Sequence, residues 1–129
     1  LPASFYGRPA DEVAPALLGQ LLVVRRDGEP RAGRIVETEA YLGEADLACH
    51  ASKGLTRRTA TLFGPAGHAY VYLIYGMYDL FNVVCQPEGV PHAVLVPAEA
   101  PLSQMMWPRC SHVCPEVRSC SSIRLTSDR

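Results

Sequence analysis

The stretch HAYVYLIYGMYDLFNVVCQ, residues 68–86, leaves this chain the fewest choices of structure. Two runs rich in β-branched and aromatic residues flank one glycine, Gly76, a composition that suits strands rather than a helix. Side chains alternate across a strand. Tyr70, Tyr72 and Ile74 therefore share one face, and Val71, Leu73 and Tyr75 the other. A glycine between two such runs reads as a tight reversal, so the segment predicts a β-hairpin.

Other elements follow by the same rules. Leu21 to Arg25 (LLVVR) is apolar and β-branched and predicts a strand; Asp27-Gly28 is a turn signal, and Arg31 to Tyr41 reads as the returning strand. Within that return, RIVETEAYLG (34–43) puts Ile35, Glu37, Glu39 and Tyr41 on one face. Val36, Thr38, Ala40 and Leu42 fall on the other, which reads as an ordinary core face. Two acids between apolar ends are costly unless paired, and costly placements of this kind are often functional. Ala10 to Gly19 (ADEVAPALLG) predicts a short helix with Asp11 as N-cap, Val13, Ala16 and Leu17 on one face, and Gly19 at the exit. Pro15 then has to lie near the first turn. His92 to Val96 (HAVLV) predicts a further strand. Residues 43–67 read as a long surface loop with one helical turn, carrying the basic residues Lys53, Arg57 and Arg58.

With 129 residues and 48% hydrophobic content, the chain is expected to form one globular domain with a real core. A formal charge of −1 supplies no overall basic footprint, which speaks mildly against nucleic acid without excluding a local basic stripe. The amino-terminal LPASFYGRPADEVAP has neither a charged leader nor an apolar run, so no signal peptide is read, and no stretch is apolar enough for a membrane span. Five cysteines, an odd number, suggest a reduced intracellular protein. After Pro101 the character changes: residues 102–129 show neither a period of 2 nor of 3.6 and are rich in Ser, Arg and Cys. Cys110, His112, Cys114 and Cys120 invite a metal reading. Zinc sites usually pair one short knuckle with a second at a distance, so chance cysteines are the preferred reading and no metal is expected.

Taken together, LLG (17–19), GRIVETEAYLG (33–43), Ala48-Cys49-His50-Ala51-Ser52 and YVYLIYGMY (70–78) resemble the alkyladenine, or 3-methyladenine, DNA glycosylase family, the single-domain type of mammals and many bacteria. The resemblance covers roughly Phe5 to Pro101. It implies an α+β domain around a curved antiparallel sheet with a protruding β-hairpin. It also implies excision of alkylated or deaminated purines, such as 3-methyladenine, 7-methylguanine and hypoxanthine, from double-stranded DNA. No metal or organic cofactor is implied, and a monomer in the cytoplasm, near the nucleoid in a bacterium, is expected. An enzyme of this kind must extrude the nucleotide and hold the base between aromatic walls. A carboxylate then activates the attacking water.

By motif position, Glu39 resembles the family's general base; on residue type alone it reads as a solvated strand glutamate paired with Arg31 or Arg34. Glu37 is the better candidate for a structural ion pair. Tyr41 and Tyr72 match the residues that sandwich the flipped base, and His50 matches a pocket histidine; without the resemblance, core tyrosines and a satisfied loop histidine are the plainer readings. Tyr70 reads as ordinary packing. Asn82 matches a position on the pocket floor, with a strand-end hydrogen bond as the alternative. Tyr75, flanked by Met77, matches the wedge that fills the gap left by the flipped nucleotide. Lys53, Arg57 and Arg58 are candidate phosphate contacts, a solvated basic loop fitting equally well. No lysine matches a Schiff-base position, so strand cleavage by the protein itself is not expected.

Two departures stand out. The family carries an arginine in the strand after the Asn82 position, where it helps hold the catalytic water, and this chain has Pro97. Family members also continue well past this point, so residues 102–129 are expected to be an unrelated, disordered or frameshifted tail, with the carboxy-terminal part of the domain missing. The rival expectation is a catalytically impaired DNA-binding remnant. A carbohydrate hydrolase using Glu37 and Glu39 fits poorly, because residues i and i+2 of a strand stand only ~6.5–7 Å apart on one side.

Overall fold

The computed structural model describes residues 1–26, 29–97 and 123–126. Two helices, α1 (Ala3–Tyr6) and α2 (Ala10–Leu17), lead into β1 (Leu21–Arg26), β2 (Glu29–Arg34) and β3 (Glu39–Tyr41). Three 3₁₀ turns follow, Gly43–Ala45, His50–Lys53 and Ala60–Phe63. Then come β4 (Ala69–Ile74), β5 (Tyr78–Cys85), β6 (His92–Val96) and β7 (Ile123–Thr126). The strands make a 3-stranded sheet in the order β2-β1-β7 and a 4-stranded sheet in the order β3-β6-β5-β4. All pairs are antiparallel, as expected of an α+β fold.

Helix α2 buries Ala10, Val13, Ala14 and Leu17, the i, i+3, i+4, i+7 stripe of an amphipathic helix. Two details differ from expectation. The N-cap is Pro9 rather than Asp11, which lies with Glu12 in the first turn, where acids meet the positive end of the helix dipole. The Ala10 N–H is instead met from β6, by His92 Nδ1 at 3.4 Å. Pro15 sits late in the helix, not near its start. It faces solvent, so the carbonyl it leaves without a helical donor can turn to water, and burial of the opposite stripe offsets the cost. Leu17 is fully buried in the core with Val94 and Val83. Leu17→Ala should lower unfolding free energy by about 2–5 kcal/mol, read from denaturant unfolding.

The hairpin of residues 68–86 forms as the alternation predicts, with Tyr70 opposite Asn82 and Ile74 opposite Tyr78. Its reversal takes three residues, closed by Met77 N–H donating to Ile74 O at 3.2 Å. Tyr75 (φ 53°) and Gly76 (φ 69°) both adopt the left-handed region. Glycine does this freely; tyrosine does so at a cost.

The first hairpin also forms, Leu21 pairing with Arg34 and Arg26 with Glu29; the Asp27-Gly28 turn lies outside the described residues. The expected single return strand from Arg31 to Tyr41 does not form. The chain leaves the first sheet after Arg34 and enters the second only at Glu39. Ile35 is buried, its N–H bonded to Gln20 O and its carbonyl taken by Gly19 N–H. Thr38 then donates its hydroxyl to Ala14 O at the end of α2, 2.9 Å away. The connecting residues therefore fasten the helix rather than a strand. The presumed core face is corrected as well: Val36 is 65% exposed and Leu42 is 44% exposed.

Register decides what each face of the second sheet does. Directly paired residues share a face, so Glu39 lies with Leu95, Leu95 with Asn82, and Asn82 with Tyr70. Tyr41 lies likewise with Ala93. The alternate residues Ala40, Val94, Val83, Val96 and Phe81 point the other way and pack with α2. The face carrying Tyr70, Val84 and Ala93 is covered instead by Cys49, Ala51 and Leu62. Residues 43–64 are thus not merely a surface loop with one helical turn: three 3₁₀ turns close a second small core. Thr59 anchors it, its buried hydroxyl donating to Gly54 O at 2.8 Å. In the segment after Pro101, four residues are described: β7 adds to the open edge of β1, Val24 pairing with Ile123 and Leu21 with Thr126. The Cys110, His112, Cys114 and Cys120 group lies outside the described residues.

Candidate active site

Strand β3 is three residues long, and two of them meet at the site. Glu39 and Tyr41 are i and i+2, hence on one side, and the Tyr41 hydroxyl donates to Glu39 Oε2 at 2.8 Å. Glu39 is exposed and Tyr41 half-buried. The phenol is neutral over the whole physiological range: burial raises its pKa far above normal, and the hydrogen bond to Glu39 adds to the shift. Glu37, by contrast, lies in the exposed connection between β2 and β3.

Across the sheet, β4 contributes Tyr70 and Tyr72, and the second 3₁₀ turn brings His50 onto both. His50 Nδ1 lies 2.9 Å from the Tyr70 hydroxyl. Its ring packs on Tyr72 with centroids 4.5 Å apart and planes at 59°. Asn82 is 3% exposed and donates through Nδ2 to Tyr70 O at 3.3 Å. That is a cross-strand bond, the plainer of the two expectations for this residue, made by a side chain that also lines the cleft. Tyr70 is more than packing: it touches His50, Tyr72 and Asn82 at once. The signal for it was the shared face with Tyr72.

Tyr41, Ala48, Cys49, His50, Tyr70, Tyr72 and Asn82 line one cleft of about 260 Å³ including its open mouth. Burial, then the charges of Arg58 and Lys53, lowers the His50 pKa. The ring is accordingly neutral at pH 7, with one nitrogen donating and the other accepting. Burial also raises the Tyr70 and Tyr72 phenols and the Cys49 thiol. On the opposite sheet face, burial pushes the Cys85 thiol up to about 12. Both thiols stay protonated and unreactive. The cleft therefore holds neutral donors, acceptors and ring faces, with Glu39 bound to its Tyr41 wall.

The remaining predicted residues stand outside the cleft. Tyr75 and Met77 occupy the exposed hairpin tip, 83% and 58% accessible. Lys53, Arg57 and Arg58 are exposed, and the charges of Lys53 and Arg58 reach His50. Pro97 follows the last residue of β6, two positions beyond Leu95, which pairs with Glu39. Among the described residues, no group of three or more His, Cys, Asp or Glu side chains is placed to hold a metal.

The stretch of chain that builds this sheet face and cleft matches a known family. The model of the methylpurine-DNA glycosylase family matches residues 4–118. The chain belongs to that family. The match begins next to Phe5 and runs past Pro101. Curated relatives agree. A protein of Myxococcus xanthus named "Putative 3-methyladenine DNA glycosylase" is 66% identical over 102 residues, 79% of this chain and 53% of the relative. Proteins with the same name are 58% identical over 105 residues in Legionella pneumophila and 57% identical over 102 residues in Methanocella arvoryzae. These cover 81% and 79% of this chain, and 57% and 51% of the relatives. The chain thus spans about half the length of the curated relatives it matches.

Proposed function

We propose that this chain carries the base-recognition and water-activating residues of a DNA glycosylase that removes alkylated or deaminated purines from duplex DNA. The supporting observation is the register of the second sheet, which sets Glu39 and Tyr41 on the face of Tyr72, Tyr70 and Asn82. In this reading the lesion nucleotide swings out of the helix and its base enters the cleft between Tyr41 and Tyr72. His50 supplies a directional hydrogen bond from a neutral ring, and Asn82 bounds the floor. Glu39 takes a proton from water as it attacks the sugar carbon, and the N-glycosyl bond to the purine breaks. The products are a free base and an abasic site. Tyr75 at the exposed tip fills the gap in the stack with Met77 beside it, both side chains being open to solvent. Lys53, Arg57 and Arg58 meet phosphates. The substrate is double-stranded DNA inside the cell, the protein works as a monomer, and no cofactor takes part.

A second reading is favoured by Pro97: a protein that binds DNA without releasing a base. One assay separates the two. The protein is incubated with a duplex containing hypoxanthine or 3-methyladenine, then treated with alkali, which breaks abasic strands. Breaks at the lesion support the glycosylase. Retarded DNA without breaks supports the second reading.

A further inference from the structure

The sandwich role assigned to Tyr41 uses only its ring face, yet the structure gives its hydroxyl a partner. We propose that Tyr41 is also a positioning residue for Glu39: its O–H holds one carboxylate oxygen, so that the other is the oxygen that meets the water. This deepens the reading above and rests on Glu39 as the base.

Three observations carry the inference. Tyr41 O–H donates to Glu39 Oε2 at 2.8 Å, within the range of a good O–H···O bond. Glu39 Oε1 carries no hydrogen bond among the described residues. The third concerns the nearby acid, Asp46, whose two oxygens are already committed: Oδ1 accepts from Ala48 N–H at 3.0 Å and Oδ2 from Leu42 N–H at 3.1 Å. Asp46 shapes the loop, which leaves Glu39 as the carboxylate with a spare oxygen beside the cleft. An exposed glutamate samples several rotamers, and a fixed donor on the same strand face selects one. The strand itself is pinned at these residues, Glu39 opposite Leu95 and Tyr41 opposite Ala93.

The consequence is mechanical. One rigid side chain both walls the base and orients the acid, so a base that tilts the Tyr41 ring also displaces the carboxylate. Lesion shape is then read in the rate of bond cleavage as well as in binding.

Tyr41→Phe keeps the ring and removes the bond. It should slow single-turnover base release about tenfold to a hundredfold, the worth of a hydrogen bond to a charged group. Affinity for lesion-bearing duplex should change by less than about twofold, as expected when the lost interaction acts on the transition state alone. A Tyr41→Phe protein that cleaves as fast as wild type, or that loses binding in proportion to rate, overturns the proposal. A second readout needs no turnover. With carbon-13 at tyrosine Cζ, the Tyr41 resonance at neutral pH should shift in Glu39→Gln relative to wild type, because the hydroxyl then donates to a neutral acceptor instead of a carboxylate. An unchanged resonance removes the contact and with it the proposal. If wild type releases no base while the resonance moves, the glycosylase reading fails and the Tyr41–Glu39 contact stands.

Discussion

Glu39→Gln is expected to abolish base release, with a loss on the order of 10²- to 10⁴-fold in single-turnover rate, the usual contribution of a positioned general base. Glutamine fills the same space and can still accept from the Tyr41 hydroxyl, so the fold and the cleft should persist. What it lacks is an anionic oxygen able to take a proton from water. Asp46 cannot substitute, since both its oxygens hold backbone N–H groups of the adjoining loop. The measurement is alkali-revealed strand breakage in a hypoxanthine duplex, alongside duplex retardation for binding. Equal breakage by both proteins would take Glu39 out of its role.

Pro97→Arg is expected to act in the opposite direction. Leu95 pairs with Glu39, and alternation puts residue 97 on the same side, about one pleat repeat (~6.5–7 Å) further on. A long guanidinium rooted there can reach the space in front of the carboxylate, where the attacking water would stand. Proline offers neither charge nor donor. Restoring one preorganised donor should raise the release rate about 10²- to 10³-fold. Since Pro97 follows the end of β6, the ladder loses nothing by the change. No gain, from a protein that still binds lesion DNA, would favour the non-catalytic reading over the enzyme.

Some features were legible because they are local. The period-2 alternation of residues 69–85 predicts the second hairpin and its Tyr70/Tyr72 face, and the apolar runs at 21–25 and 92–96 predict their strands. The i, i+3, i+4, i+7 spacing from Ala10 marks α2. Other features were illegible because their causes lie far away in sequence. Asp11 is the natural cap by residue type, yet the Ala10 N–H is met by His92 from a strand 82 residues distant. The break between β2 and β3 comes from Thr38 bonding α2, and nothing in RIVETEAYLG announces it. The sequence 43–67 looks like a solvated loop because its buried residues, Cys49, Ala51, Thr59 and Leu62, have no regular period. They are buried by the sheet that they cover.

The residue pattern alone therefore settled which types of side chain are present, where the two hairpins and the strand at 92–96 lie and, through its motifs, which family the chain joins. The tertiary structure decided which of those side chains face each other. Pairing register is a property of two strands, not one: only when β3 docks on β6 do Glu39 and Tyr41 come to share a face with Asn82 and Tyr70. A shift of β3 by one residue would turn Glu39 and Tyr41 toward the α2 side of the sheet, because alternate positions on a strand point to opposite sides.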